Sequence, residues 1–144
     1  MSAALLSAGA EAVFVCNRTM ERAAALCAWD KLGRMAPAGF DGETLARLAA
    51  KSGLLVNCTS LGMTGEFERL DFLTALPAGA AVCDLVYNPP ETALLKGARR
   101  LGHPAMNGFS MLIYQAVLAL EHFLDRELDR EAMAKVAWEA LEKG

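Results

Sequence analysis

The stretch AVFVCNRTMER, Ala12 to Arg22, decides the fold class. It opens as a short apolar run, Ala12 to Cys16, of strand length and strand composition. It breaks on the polar trio Asn17-Arg18-Thr19 and passes at Met20 into a segment that reads as a helix to Trp29. A strand that is apolar throughout, rather than alternating, is buried on both faces, and that is the situation of parallel strands covered by helices.

Outward from this stretch the same alternation repeats. Met1 to Ala8 reads as the tail of a helix closed by Gly9. Downstream come a weak strand over Arg34 to Ala36, a helix over Asp41 to Lys51 closed by Gly53, and a clear strand LLVN over Leu54 to Asn57. Leu70 to Leu76 reads as a short helix stopped by Pro77, Ala80 to Val86 (AAVCDLV) as an apolar strand, and Pro90 to Leu101 as a helix with Pro in its first turn. A short strand, Pro104 to Met106, and two helices, Phe109 to Leu124 and Asp129 to Glu142, complete the chain. Strands alternating with helices indicate an α/β protein with a doubly wound parallel sheet. Its 144 residues allow one compact core of ordinary size.

Bulk properties exclude several partners. A net charge of −3 and a pI near 5.4, with scattered Arg and Lys, give no nucleic-acid footprint. The four cysteines, at 16, 27, 58 and 83, have neither zinc-ribbon nor CxxC spacing and fit buried thiols in a reducing cytoplasm. MSAALLSAGA lacks the basic start of a signal peptide, and the apolar run Met111 to Leu120 is about half of what a membrane span requires. His103 and His122 have no acidic or thiol neighbours at ligand spacing, so no metal site is expected.

In a doubly wound sheet, ligands sit beyond the carboxyl ends of the strands. After the first clear strand stands Arg18. An acidic residue there would bond the ribose of NAD, whereas an Arg accommodates the 2′-phosphate of NADP, and Arg22 is one helical turn away. The plainer alternative is a solvated Arg pair with Asn17 or Thr19 as helix cap. After the second strand comes NCTSLGM, Asn57 to Met63, a tight polar loop suited to a cofactor but not specific to one. After the third comes DLVYNPPET, with Tyr87 at the rim, equally readable as a substrate contact or a half-buried aromatic. Gln115 interrupts the apolar helix GFSMLIYQAVLALEHF, where an unpartnered buried amide would cost roughly 1–3 kcal/mol, so its amide must either find partners inside the protein or reach a ligand.

Taken together, NRTMER, NCTSLGM, DLVYNPPETALLKGARRLG and NGFSMLIYQA, in this order, resemble four motifs of the shikimate dehydrogenases, specifically of their NADP-binding half. That resemblance implies a Rossmann-like NADP-binding domain and the NADP-dependent reduction of 3-dehydroshikimate to shikimate, on the chorismate route to the aromatic amino acids. It implies that Asn17, Arg18, Thr19 and Arg22 hold the adenosine 2′-phosphate and that Thr59 lies beside the cofactor. Leu85 and Gly108 would flank the nicotinamide end, with Met111 packed against its ring. Tyr87 and Gln115 would contact the substrate. Ser60 stands where the family usually has Pro, which leaves the stiffness of that loop open.

The resemblance also implies what is missing. Residues 1–144 correspond to a partial NADP-binding domain lacking its first strand and Gly-rich turn, and the N-terminal domain bearing the catalytic Lys and Asp is absent. Lys51, Lys96 and Asp84 match other positions. No catalytic residue is therefore assigned in this chain, which is expected to be inactive alone and to self-associate through unpaired strand edges. The rivals are a quinate-using relative and a non-catalytic nucleotide-binding or interaction module.

Overall fold

The computed structural model describes residues 1–65 and 67–141. They form two compact units. The first comprises Met1–Gly53 and Glu68–Ala80, and the second Leu54–Phe67 together with the chain from Ala81 onward.

In the first unit, α1 (Ser2–Ser7) ends as Gly9 enters the left-handed region at φ 97°, its amide and that of Ala10 bonding back to Leu6 and Leu5. Strand β1 (Val13–Cys16) pairs in parallel with β2 (Met35–Ala38), Val13 opposite Met35 and Cys16 opposite Ala38. Helix α2 (Met20–Cys27) connects them, and its buried residues, Ala23 and Cys27, are small and one turn apart, so the helix lies close against the strands. The second strand starts one residue later than its sequence suggests, at Met35, where Asp30 Oδ2 accepts from the amides of both Arg34 and Met35 and ties the entry of the strand to the preceding turn. It also runs through Pro37. That is tolerated because β2 is an edge strand with β1 as its one partner, so no ladder bond is forfeited. Helix α3 (Gly42–Ala49) is capped by Asp41, whose Oδ1 accepts from Thr44 N at 2.8 Å. Those bonds hold the Asp41 carboxyl below the usual carboxylate range. Leu48 and Ala49 of α3 are buried in this unit, as are Phe72 and Leu73 of a short 3-10 helix, Asp71–Ala75, within the stretch that reads as a short helix in the sequence.

In the second unit, β3 (Leu54–Asn57), β4 (Ala81–Asp84) and β5 (Ala105–Met106) form a parallel sheet in that order. Helix α4 (Ala93–Arg100) covers it with Leu94, Leu95 and Ala98, a set of positions on one helical face and all at most 1% exposed, against Val82 at 0%. The helix begins three residues beyond Pro90, contrary to the sequence reading. The Asn88–Pro89 bond is cis, the chain turns through Pro90, and Thr92 then caps the helix by accepting from Leu95 N. Helices α5 (Phe109–Leu124) and α6 (Arg130–Leu141) pack on each other across a turn closed by Asp125 at φ 48°. Glu121 braces that turn, accepting from Leu128 N and from the Arg130 guanidinium, which lowers its carboxyl below the usual range. The sequence expectation that α6 reaches Glu142 falls outside the described residues.

The strands are parallel and alternate with helices as expected, but they form two ladders rather than one. A doubly wound order 3-2-1-4-5-6 deprived of its first strand divides into 3-2 and 4-5-6. The observed orders, β2-β1 and β3-β4-β5, are those two portions. Strand β1 bonds only to β2 and β3 only to β4 among the described residues, so each keeps one ladder edge with unbonded N–H and C=O groups.

Two outcomes follow. Leu95→Ala should lower the free energy of unfolding by roughly 2–5 kcal/mol in urea titrations, as removal of a fully buried Leu does elsewhere. Sedimentation velocity should show concentration-dependent self-association, and one monomeric species over a wide concentration range would contradict the reading of those edges as adhesive.

Candidate functional site

The polar trio after β1 is held by short-range bonds. Asn17 N donates to Ala38 O and prolongs the pairing with β2, while Asn17 Oδ1 accepts from Thr19 N at 2.9 Å. This Asx turn places Arg18 at the corner between the strand and α2. Thr19 precedes the helix in an extended conformation, and its hydroxyl makes no capping bond. Arg18 and Arg22 are exposed, and among the described residues neither guanidinium has a hydrogen bond or ion pair. Two free guanidinium groups one turn apart, at the start of a helix, are suited to a phosphate dianion.

The ends of β3 and β4 are joined by a buried polar web. Asp84 is 0% exposed, and its carboxylate accepts three bonds from neutral donors. Oδ1 takes Asn57 Nδ2 at 2.8 Å and Val86 N at 3.1 Å, and Oδ2 takes the Thr92 hydroxyl at 2.6 Å. Asn57 also donates to Leu61 O and accepts both the amide and the hydroxyl of Thr59, at 3.0 and 2.7 Å. The Thr59 hydroxyl in turn accepts from Leu61 N. The loop Asn57 to Gly62 is therefore ordered by its own bonds, and the Pro that Ser60 replaces is not needed to stiffen it. Since the Thr59 hydroxyl is already engaged twice, a cofactor alongside this exposed residue would meet mainly its backbone and methyl group. Gly62, at φ 94°, is a close approach as well: a Cβ there would lie 3.0 Å from Thr92 Cγ2.

At Gly108 the chain makes a second close approach, here to its own backbone. A Cβ at Gly108 would stand 2.1 Å from Leu85 O and 2.6 Å from the Leu85 carbonyl carbon, so the start of α5 is pressed on the backbone following β4. Gly108 N donates to Val86 O, and Asn107 ties the same turn to Pro90 O. Close approach to Leu85, within the chain, already requires the glycine. Tyr87, 45% exposed, meets the edge of Phe109, which packs on Trp138 of α6 with ring centroids 5.0 Å apart. Met111 is half-buried and Gln115 exposed on α5. Its neighbours Leu112 and Leu118 are 40% and 47% exposed, so the amide does not sit in the apolar interior that its sequence context suggests.

The candidate residues thus fall into two sets, one in each unit: Asn17, Arg18, Thr19 and Arg22 in the first, and Thr59, Leu85, Tyr87, Gly108, Met111 and Gln115 in the second. Lys51 lies over the Phe14 ring, 4.4 Å from its centroid, and Lys96 is exposed on α4. Among the described residues there is no group of His, Cys, Asp and Glu that could hold a metal, and no helix is long and apolar enough to cross a membrane. The cysteines are all free, but only Cys27 is buried. Cys58 is exposed in the polar loop, which corrects the expectation of buried thiols. Burial, and secondarily the carboxylate of Asp30, pushes the Cys27 thiol up. The sequence reading gave no role to Asp84 or Thr92, although an Asp ending the apolar run AAVCD is a signal of a buried, hydrogen-bonded charge.

Residues 108–137 match the family described as Shikimate 5′-dehydrogenase C-terminal domain. A shikimate dehydrogenase (NADP(+)) of Methylobacterium radiotolerans is 45% identical over 117 residues, covering 81% of this chain and 40% of that protein. Another, of Methanopyrus kandleri, is 36% identical over 142 residues, covering 95% of this chain and 49% of that protein. Among solved structures, the quinate dehydrogenase of Corynebacterium glutamicum in complex with NAD superposes with a TM-score of 0.77 at 33% identity, covering 96% of this chain and 50% of that one. The chain spans less than half the length of the two curated relatives. Four motifs in order, the two strand orders and these similarities lead to one conclusion: the chain belongs to the shikimate dehydrogenase family.

Proposed function

We propose that the chain binds NADP(H) and contributes to the reduction of 3-dehydroshikimate to shikimate. The carrying observation is the unpartnered Arg18–Arg22 pair at the carboxyl end of β1, where an NAD-binding sheet would present a carboxylate. Curated relatives named as NADP(+) enzymes support the same choice. Asn17, Arg18, Thr19 and Arg22 hold the adenosine 2′-phosphate. Thr59 lies beside the cofactor, and Leu85 and Gly108 flank its nicotinamide end, with their backbone groups as the polar contacts and Met111 as the apolar one. Tyr87 offers a phenol, and Gln115 an amide with no bond of its own among the described residues, to the hydroxyl and carbonyl groups of the substrate.

When bound, the cofactor supplies the hydride that adds to the substrate's ring carbonyl. The chain's residues bind and orient, and none is assigned the proton transfer that must accompany the hydride. The chain therefore acts as a partial NADP-binding domain, binding cofactor without measurable turnover by itself. We place it in the cytoplasm, where its four free thiols stay reduced.

A second reading is favoured by one observation, the likeness to a quinate dehydrogenase solved with NAD. Quinate differs from shikimate by a ring hydroxyl and saturation, which Tyr87 and Gln115 do not by themselves discriminate.

Fluorescence titration with NADPH and NADH checks the cofactor. NADPH should bind more tightly, and Arg18→Ala should weaken NADPH roughly tenfold, the scale of one charge-assisted contact, while leaving NADH unchanged. Equal affinity for both before mutation would favour the second reading, and binding of neither would defeat the nucleotide-binding function altogether. For the substrate, the side-chain amide resonance of Gln115 should shift on adding shikimate in the presence of NADP, and a larger shift with quinate would again favour the alternative.

A further inference from the structure

We propose that Asp84 and Thr92 are positioning residues for the nicotinamide end of the site, acting through Asn57, Thr59 and Leu85 rather than touching the cofactor. The inference deepens the NADP reading above and rests on it.

The geometry leads there in three steps. First, the Asp84 carboxylate is 0% exposed and Thr92 is 2% exposed, so neither is available to a ligand. Second, the three donors on the carboxylate come from three different segments: Asn57 at the end of β3, Val86 just after β4, and Thr92 at the start of α4. Third, each of those segments leads directly to a proposed contact. Asn57 sets Thr59 through two bonds to its Oδ1. Val86 is bonded on one side to Asp84 and on the other, through its carbonyl, to Gly108 N, and it is chained to Leu85, whose carbonyl abuts Gly108. Thr92 packs against Gly62, the far end of the loop that carries Thr59.

A buried carboxylate that loses a donor cannot turn to water. With the Thr92 hydroxyl removed, Oδ2 has no replacement among the groups bonded here, and the carboxylate has to rotate or draw in another donor. Either response moves Asn57 and Val86, because both share Oδ1. Displacement then passes to Thr59 and Leu85. The residues proposed for the adenosine 2′-phosphate, Asn17 to Arg22, are held by their own bonds to Thr19 N and Ala38 O and share no partner with Asp84.

Thr92→Val tests this, because it keeps volume and branching and removes only the hydroxyl. Two probes are titrated into the chain: NADPH, and adenosine 2′,5′-bisphosphate, which lacks the nicotinamide end. NADPH affinity should fall about tenfold, the effect of losing one hydrogen bond to a charged group. Affinity for adenosine 2′,5′-bisphosphate should stay within about twofold, since only the second unit is disturbed. Thr92→Ser, which restores the hydroxyl, should recover NADPH binding. Leu95→Ala serves as the control for loss of stability alone, because it removes apolar side-chain atoms from the same core and keeps the backbone N–H that donates to the Thr92 hydroxyl. Hydrogen exchange should show β4 and α5 still protected in Thr92→Val, with faster exchange at Thr59 and Val86.

The inference is overturned if Thr92→Val leaves NADPH affinity unchanged, or if Leu95→Ala weakens NADPH as much as Thr92→Val does. It is also overturned if both probes lose affinity alike, or if Thr92→Ser fails to recover binding. In those cases the unmodified chain still binds both probes and the NADP reading stands. If the unmodified chain binds neither probe, the NADP reading falls and the inference falls with it.

Discussion

The second unit depends on a negative charge that no solvent reaches. An ionised carboxylate in a protein interior is strongly unfavourable unless its lone pairs are engaged, and Asp84 is engaged only by an amide side chain, a backbone N–H and a hydroxyl. Each donor is thereby constrained. Asn57 has to end β3 opposite Asp84 in the parallel register, and it does. Thr92 has to sit where its hydroxyl can donate to the carboxylate while accepting from Leu95 N, which fixes the first turn of α4. Gly62 has to be glycine, both because its φ is 94° and because Thr92 fills the space a side chain would use.

The two sets of candidate residues are held by different kinds of interaction. In the first unit the side-chain bonds are local, Asn17 to Thr19, Asp30 to Arg34 and Met35, Asp41 to Thr44, and only the backbone bond from Asn17 N to Ala38 O ties the Arg18 corner to the neighbouring strand. Each of those side-chain bonds closes within five residues, costs little loop entropy and orders one corner without reference to the rest. In the second unit the bonds span 27 residues from Asn57 to Asp84 and 17 from Asn107 to Pro90. These form only once the strands are paired, so the shape of the nicotinamide-end loops is a property of the folded sheet. The Arg18 corner takes its turn from its own Asx bond and needs the folded sheet only for the single bond to Ala38 O.

That difference explains what could be read in advance. LLVN and GFSMLIYQAVLALEHFL gave β3 from Leu54 to Asn57 and α5 from Phe109 to Leu124, because short apolar runs and helical spacing are local signals. The Arg18 corner was legible for the same reason. The start of α4 was not. Pro90 is a good first-turn residue by propensity, but the capping bond that Thr92 makes while held by Asp84 moves the helix start to Ala93. The short helix read over Leu70 to Leu76 is present as a 3-10 helix over Asp71–Ala75 with Phe72 and Leu73 buried. Gly108 is a position of close backbone approach. What approaches it is the Leu85 backbone, a contact that spans 23 positions and leaves no trace in local composition.

Gln115 shows how far the chain's own residues carry the chemistry. Its amide and the Tyr87 phenol are both exposed, and the α5 face around them presents Leu112 and Leu118 to solvent as well. Hydride transfer to a carbonyl is helped when water is kept from the reacting atoms, and a surface this open does not do that. The backbone groups of Leu85 and Gly108 proposed for the nicotinamide are fixed by internal contacts. Tyr87 is steadied through Phe109 by Trp138, an aromatic chain that reaches α6 and gives the phenol a fixed approach. Orientation is thus supplied by the packed interior of the second unit, whereas exclusion of water from Tyr87 and Gln115 is not a property of the described residues. What the proposed site contributes through these residues is therefore binding in a defined geometry.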